Sequence, residues 1–98
     1  MRIYKIIWKD QFVDKLESKH QISTQEVEEV LLASPRIRRV QKGQVKGEDL
    51  YAAYGQTEAG RYVIIFFVHK GPAGALPISA RDMDAAERRL YEKKKKGS

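Results

Sequence analysis

Cysteine is absent from the 98-residue chain. That excludes a disulfide framework, a thiolate metal site and a thiol nucleophile, and it suits a cytoplasmic protein. Histidine is scarce. His20 and His69 lie about half the chain apart, with no H-x-x-x-H spacing and no paired carboxylates beside either. The pattern supports no metal site, and no cofactor is expected. No apolar run approaches the roughly 18 residues that a membrane span requires; the longest, Tyr62 to Val68, has seven. The opening MRIYKIIWKD lacks a small-residue cleavage site and reads as a strand rather than a signal peptide. Gly71-x-x-Gly74 is not followed by Lys-Ser/Thr and opens no helix, so it is a hairpin turn rather than a phosphate loop. Ser79 has no sequence context that supplies a base.

What the chain does have is positive charge, unevenly placed. The net charge is +6. Residues 1–35 hold five Lys/Arg and six Asp/Glu, whereas residues 36–98 hold fourteen and seven, so the parts carry −1 and +7. Setting aside the run Lys93 to Lys96 still leaves +3 on the second part. A basic half on an otherwise balanced domain is the footprint of a binder of nucleic acid or of an acidic partner. The length suits one domain with one modest core. It is expected over residues 1–92, with a basic disordered tail at 93–98 and no association with membrane.

The pattern predicts β-α-α-β-β-β-β-α. Residues 2–8 read as a strand with Tyr4, Ile6 and Trp8 on one face and Ile3 and Ile7 on the other. Asp10 is placed to cap a helix over about 11–19, with Phe12, Leu16 and His20 at i, i+4, i+8 as its core stripe. Ser23-Thr24-Gln25-Glu26 is a capping box for a second helix to about Ala33, with Val27, Val30 and Leu31 inward, ended by Ser34-Pro35. Residues 36–41 read as a strand, Lys42 to Gly47 as a turn, and Asp49 to Gln56 as a strand with Tyr51 and Tyr54 on opposite faces. Thr57 to Gly60 forms a hairpin loop into Tyr62–Val68, a central strand buried on both faces. In the strand Ala75–Ala80, Pro77 cannot donate to a ladder, so that strand is an edge strand or bulges there. A last helix, about 82–93, is expected to turn Met83, Ala86 and Leu90 inward. The result is an α+β domain, a twisted antiparallel sheet with its helices on one face.

The remaining chemistry is that of cationic and phenolic side chains acting on a phosphodiester. RNA can be cut without a metal because its own 2′-OH attacks the adjacent phosphate; the protein positions the strand, stabilises the developing charge and moves protons. Arg81 sits where the last strand gives way to the helix, and Arg88 and Tyr91, at i and i+3, share a face of that helix. Each also has a plainer reading. Arg81 can pair with Asp82 or Asp84, Arg88 can bridge Asp84, and Tyr91 can pack its ring on the sheet. His20 can be a helix-end histidine, and Lys15 and Lys19 a solvated face. Arg36, Arg38 and Arg39 can line a phosphate path or simply guard an edge strand.

Several segments together resemble the BrnT toxins. They are Trp8-x-Asp10, Lys19-His20, the Ser23…Glu26 helix start with Val27 to Leu31, Tyr54-Gly55-Gln56-Thr57 with Gly60-Arg61, and Ile78-Ser79-Ala80-Arg81 leading to Glu87-Arg88-Arg89-x-Tyr91-Glu92. The resemblance spans about residues 6–92, and its last segment is the most specific. It implies a RelE-like α+β fold, metal-independent endoribonuclease activity that inhibits translation, and neutralisation by a cognate BrnA-like antitoxin encoded alongside. Operator DNA would be met only through that antitoxin, and RNA either on the ribosome or free. By position it implies Arg81, Tyr91 and His20 as catalytic residues and Lys19, Arg61, Arg88 and Arg89 as RNA-binding residues. The chain departs from the pattern at Gln21, where BrnT-like chains usually carry glycine, at Lys9 and at Pro77. The alternative is a non-catalytic module that binds RNA or an acidic partner on a toxin-like fold.

Overall fold

The apolar run at Tyr62 to Val68 sets the architecture. In the computed structural model, which describes residues 2–43 and 49–96, this run forms β4 (Tyr62–Lys70). Its neighbours are β3 (Leu50–Gln56) and β5 (Gly74–Asp82), with β2 (Arg36–Gln41) and β1 (Lys5–Ile6) at the edges. The sheet order is β1-β5-β4-β3-β2. All neighbouring pairs are antiparallel except β1 with β5, which is parallel. With α1 (Asp10–Lys19), α2 (Thr24–Leu31) and α3 (Ala85–Lys96), the order is β-α-α-β-β-β-β-α, an α+β fold as expected.

Successive residues of a strand face opposite sides, and β4 buries both. Val63, Ile65 and Phe67 join Leu16, Ile22, Val27, Val30 and Leu31 in the main core beneath α1 and α2. Ile64 faces the other way and packs with Ala52 and Met83, flanked by Tyr54, Tyr62, Phe66 and Tyr91. Tyr91 belongs to α3, so the helices are not all on one face: α3 covers the side opposite α1 and α2. Complete burial of a side chain such as Phe67 contributes roughly 1.5–3 kcal/mol, which makes β4 the most heavily anchored strand.

Proline 77 leaves its mark as a bulge. Along β4 and β5, Ile65 pairs with Ala80 and Phe66 with Ser79, but Phe67 pairs with Pro77. Ile78 is the extra residue, and the inward and outward positions of β5 change parity across it. Ala75 lies on the α1/α2 side before the bulge, and Ala80 on the same side after it.

The helix starts and ends follow local chemistry, with some differences from expectation. Ser23 and Glu26 form the capping box reciprocally, Ser23 Oγ accepting from Glu26 N–H at 3.1 Å and Glu26 Oε1 from Ser23 N–H at 3.0 Å. Lys9, not Asp10, is the N-cap of α1 and makes no side-chain cap; Asp10 is the first helical residue. The first strand shrinks to Lys5–Ile6, because only Gly74 and Ala75 offer it a partner. Ile3 is buried and Tyr4 68% exposed. The run Lys93 to Lys96, expected in a tail, continues α3. Met83 is buried as expected, but it precedes α3, and Ala86 and Leu90 are exposed. Most of the expected turn at 42–47, and Gly97-Ser98, lie outside the described residues. No helix among the described residues is long and apolar enough to cross a membrane.

Candidate functional site

The strand register assembles one row across the sheet on the α3 side. Arg36 on β2 pairs with Tyr54 on β3, Tyr54 with Ile64 on β4, and Ile64 with Arg81 on β5. Paired residues share a face, so two arginines stand at the ends of this row with a tyrosine between them, about 14 Å apart at neighbouring-strand spacing. The next row runs Arg38, Ala52, Phe66, Ser79. Arg38 Nη2 donates to the Tyr54 hydroxyl at 3.1 Å.

Helix α3 closes over this surface. Its start is a reciprocal cap: Asp84 Oδ1 accepts from Glu87 N–H at 2.8 Å, and Glu87 Oε1 accepts from Asp84 N–H at 2.9 Å. The Glu87 carboxylate also accepts from Arg81 Nη1 and Nη2 at 2.7 and 2.8 Å. That pairing, with the Asp84 backbone and Arg38 adding to it, holds the Glu87 carboxyl down at about 2 despite partial burial. Glu87 in turn raises the Arg81 guanidinium. A cavity of about 350 Å³ opens beside this pair, lined by Arg36, Arg38, Tyr54, Glu87, Leu90 and Tyr91. A second, of about 720 Å³, adjoins it between the α2–β2 corner at Ser34 to Arg36 and the end of α3, where Lys93, Lys94 and Lys95 contribute.

Tyr91 stands edge-on to Tyr62 with ring centroids 6.0 Å apart. Burial, and secondarily the nearby Glu92 carboxylate, pushes its hydroxyl above the ordinary value. The Tyr62 hydroxyl donates a short hydrogen bond to Glu92, which raises it likewise. Arg88 lies 4.3 Å over the Tyr62 ring, a cation–π contact, rather than bridging Asp84. Arg89 is exposed and lines a shallow depression with Tyr62, Arg88 and Glu92.

The remaining expected residues gather elsewhere. Arg81 and Asp82 are consecutive on β5 and so face opposite sides. Asp82, with Val63 as its pair, faces the α1/α2 side. There Arg61 ties the structure together: Nε and Nη2 donate to Asp82 at 2.7 and 3.2 Å, Nη1 to the Gln21 carbonyl at 2.9 Å and to Glu26 at 3.3 Å, and Nη2 to the His20 carbonyl at 3.3 Å. The Asp82 bond, foremost, raises the Arg61 guanidinium and holds Asp82 below the usual carboxylate range. His20 caps the end of α1 within electrostatic reach of Asp82, and Lys19 is exposed in the last turn of that helix. The structure thus brings Arg81, Tyr91, Arg88 and Arg89 to the α3 side, and His20, Lys19 and Arg61 to the α1/α2 side.

Glu87 and Tyr54 complete the α3-side cluster and were not singled out as site residues from sequence. The Asp84-x-x-Glu87 spacing, a capping-box pattern, was the available signal for Glu87. Tyr54 becomes visible only through the strand register. Among the described residues no group of three or more His, Asp or Glu could hold a metal ion.

A small α+β domain with a basic, tyrosine-lined sheet face is a class suited to holding a polyanion. The comparison with known families is more specific. Residues 8–87 match the family described as "Ribonuclease toxin, BrnT, of type II toxin-antitoxin system". The chain belongs to that family. No curated protein matches it.

Proposed function

We propose that this chain is a metal-independent endoribonuclease that inhibits translation by cutting RNA on the α3 side of its sheet. The observation carrying this reading is the row Arg36, Tyr54, Ile64, Arg81, with Tyr91 and Glu87 above it, in a chain of the BrnT family. Arg81 stabilises the charge that develops on phosphate as the RNA 2′-oxygen attacks. The Tyr91 hydroxyl, protonated at neutral pH as an ordinary phenol is, gives its proton to the departing 5′-oxygen. Glu92, in electrostatic contact with Tyr62 and Tyr91, accepts the 2′-OH proton. The products are a 2′,3′-cyclic phosphate and a free 5′-OH. Arg36, Arg38, Arg88 and Arg89 hold the strand by its phosphates. Arg61 acts as a brace, since its donors are engaged within the chain. His20 and Lys19 lie across the sheet from Arg81 and take no part in this step.

A cognate antitoxin of BrnA-like type would neutralise the chain by covering the basic face with acidic side chains and would carry any contact with operator DNA. Its setting is the cytoplasm, and its RNA is met on the ribosome or free. The position of His20, away from Arg81 and Tyr91, favours a second reading, a binding module that holds RNA without cutting it.

Tightly controlled induction of wild type and Arg81→Ala, with label incorporation into new protein, tests the first reading. Wild type is expected to arrest growth and leave 2′,3′-cyclic phosphate ends. Arg81→Ala is expected to lower cleavage about 10²–10³-fold while remaining folded. Folded wild type that binds RNA and leaves it intact would establish the second reading.

A further inference from the structure

The Arg81 guanidinium carries five N–H bonds in a planar fork. Its end meets Glu87: Nη1 and Nη2 donate to the two carboxylate oxygens at 2.7 and 2.8 Å, and Nη1 also donates to the Asp82 carbonyl at 3.2 Å. The Nε–H and the outer Nη2 proton, side by side along one edge, have no partner among the described residues. Two parallel donors on one edge are the geometry that takes two oxygens of a phosphate. Glu87 is itself fixed by its reciprocal cap with Asp84, and the Phe66 ring lies 5.9 Å from the guanidinium carbon. The Arg81 side chain remains 45% exposed while that of Glu87 is 23% exposed, so solvent reaches the arginine more freely than its partner.

We propose that Glu87 is a positioning residue: it grips the end of the Arg81 guanidinium and leaves the Nε–Nη2 edge open for bidentate capture of an RNA backbone phosphate. The inference rests on the reading of this face as the RNA site. It makes a prediction opposite in sign to simple electrostatics. A carboxylate beside a polyanion repels it, so removing that charge should tighten binding if Glu87 does nothing else. If Glu87 orients Arg81, removing its grip should weaken binding.

The test is binding of a single-stranded oligoribonucleotide, 2′-O-methylated throughout and therefore uncleavable, at one fixed salt concentration. Wild type, Glu87→Gln, Arg81→Ala and the double variant are compared. Glu87→Gln preserves size and removes the charge and one of the two acceptors. It is expected to bind about tenfold more weakly, the scale of one misdirected charge-assisted hydrogen bond. In the Arg81→Ala background the same substitution is expected to leave binding unchanged or tighten it. Asp84→Ala removes a carboxylate that acts on Arg81 and the acceptor of the Glu87 N–H. The backbone N–H at that position still donates to Glu87 Oε1, and the Arg81 pair keeps all its atoms. This variant is expected to bind as wild type does or more tightly. Equal or tighter binding by Glu87→Gln, or an equal weakening by Asp84→Ala, overturns the proposal. Cleavage of the unmethylated oligonucleotide by wild type is followed in parallel. The expected binding pattern without any cleavage would remove the ribonuclease reading and leave the Arg81–Glu87 phosphate site standing.

Discussion

Gln21 adopts a φ of 53°, in the left-handed region where a side chain carries a steric penalty of roughly 1–2 kcal/mol. It follows the α1 C-cap His20 and offers its carbonyl to Arg61. The glycine that BrnT-like chains usually carry here would adopt this conformation freely. Gln21→Gly relieves the penalty but loosens the unfolded chain. A net gain of up to about 1 kcal/mol is expected, seen as a rise of about 4 °C in Tm. Arg61 is the other residue whose local chemistry decides stability. Arg61→Lys keeps the charge but cannot reproduce the fork that reaches Asp82, Glu26 and two carbonyls. A loss of about 2 kcal/mol in urea unfolding at neutral pH is expected. Arg61 lowers the folded-state Asp82 carboxyl below its ordinary value. The part of this stability that runs through Asp82 is therefore present above the ordinary carboxylate value and lost as pH falls through the lowered one. The gap between wild type and Arg61→Lys should narrow in acid, leaving the share that runs through the Gln21 and His20 carbonyls.

At the scale of elements, β3 passes so close under α2 that Gly55 has no room for a side chain. A Cβ there would lie 2.7 Å from Val30 Cγ1. Gly55→Ala is expected to destabilise by about 1–3 kcal/mol in chemical denaturation, with Val30→Ala in the same chain recovering part of it. Which elements could be read from sequence follows from how locally each is determined. The α2 start was legible because Ser23 and Glu26 satisfy each other within four residues. β4 was legible because a seven-residue apolar run has few other fates. The inward face of α3 was not, because no apolar stripe docks this helix. Tyr91, Arg88 and Glu92 attach it through the rim residue Tyr62, leaving Leu90 54% exposed. Arg81 and Tyr91 could be proposed from their places at the end of a strand and on a helix face. Their neighbours Arg36, Arg38 and Tyr54 depend on pairing among three other strands, which no local pattern specifies. The side on which His20 falls depends on how α1 packs.

Across the whole molecule, β4 divides two unequal halves. Among the described residues, the α1/α2 side holds most of the buried ones; the packed cluster on the α3 side is only Ala52, Ile64 and Met83, with half-buried rings around it. No described residue of α3 itself is buried. Stability should be distributed accordingly. Amide hydrogen exchange is expected to show α3 opening well below the global unfolding free energy, while Val63 to Phe67 exchange only on global unfolding. Uniform protection across α3 and β4 would contradict this division.

The bulge at Ile78 then has a consequence for the electrostatic character of both faces. It works as a phase shifter in a two-stroke pattern: every residue of β5 beyond it is half a period out of step with those before it. In a regular strand of the same sequence, the Arg81 guanidinium would point into the wall occupied by Val63, and the Asp82 carboxylate would stand where RNA phosphate is proposed to bind. Which of two opposite charges, Arg81 or Asp82, each side of the sheet receives is thus set by one uncharged residue, through its count in the strand rather than through any contact it makes.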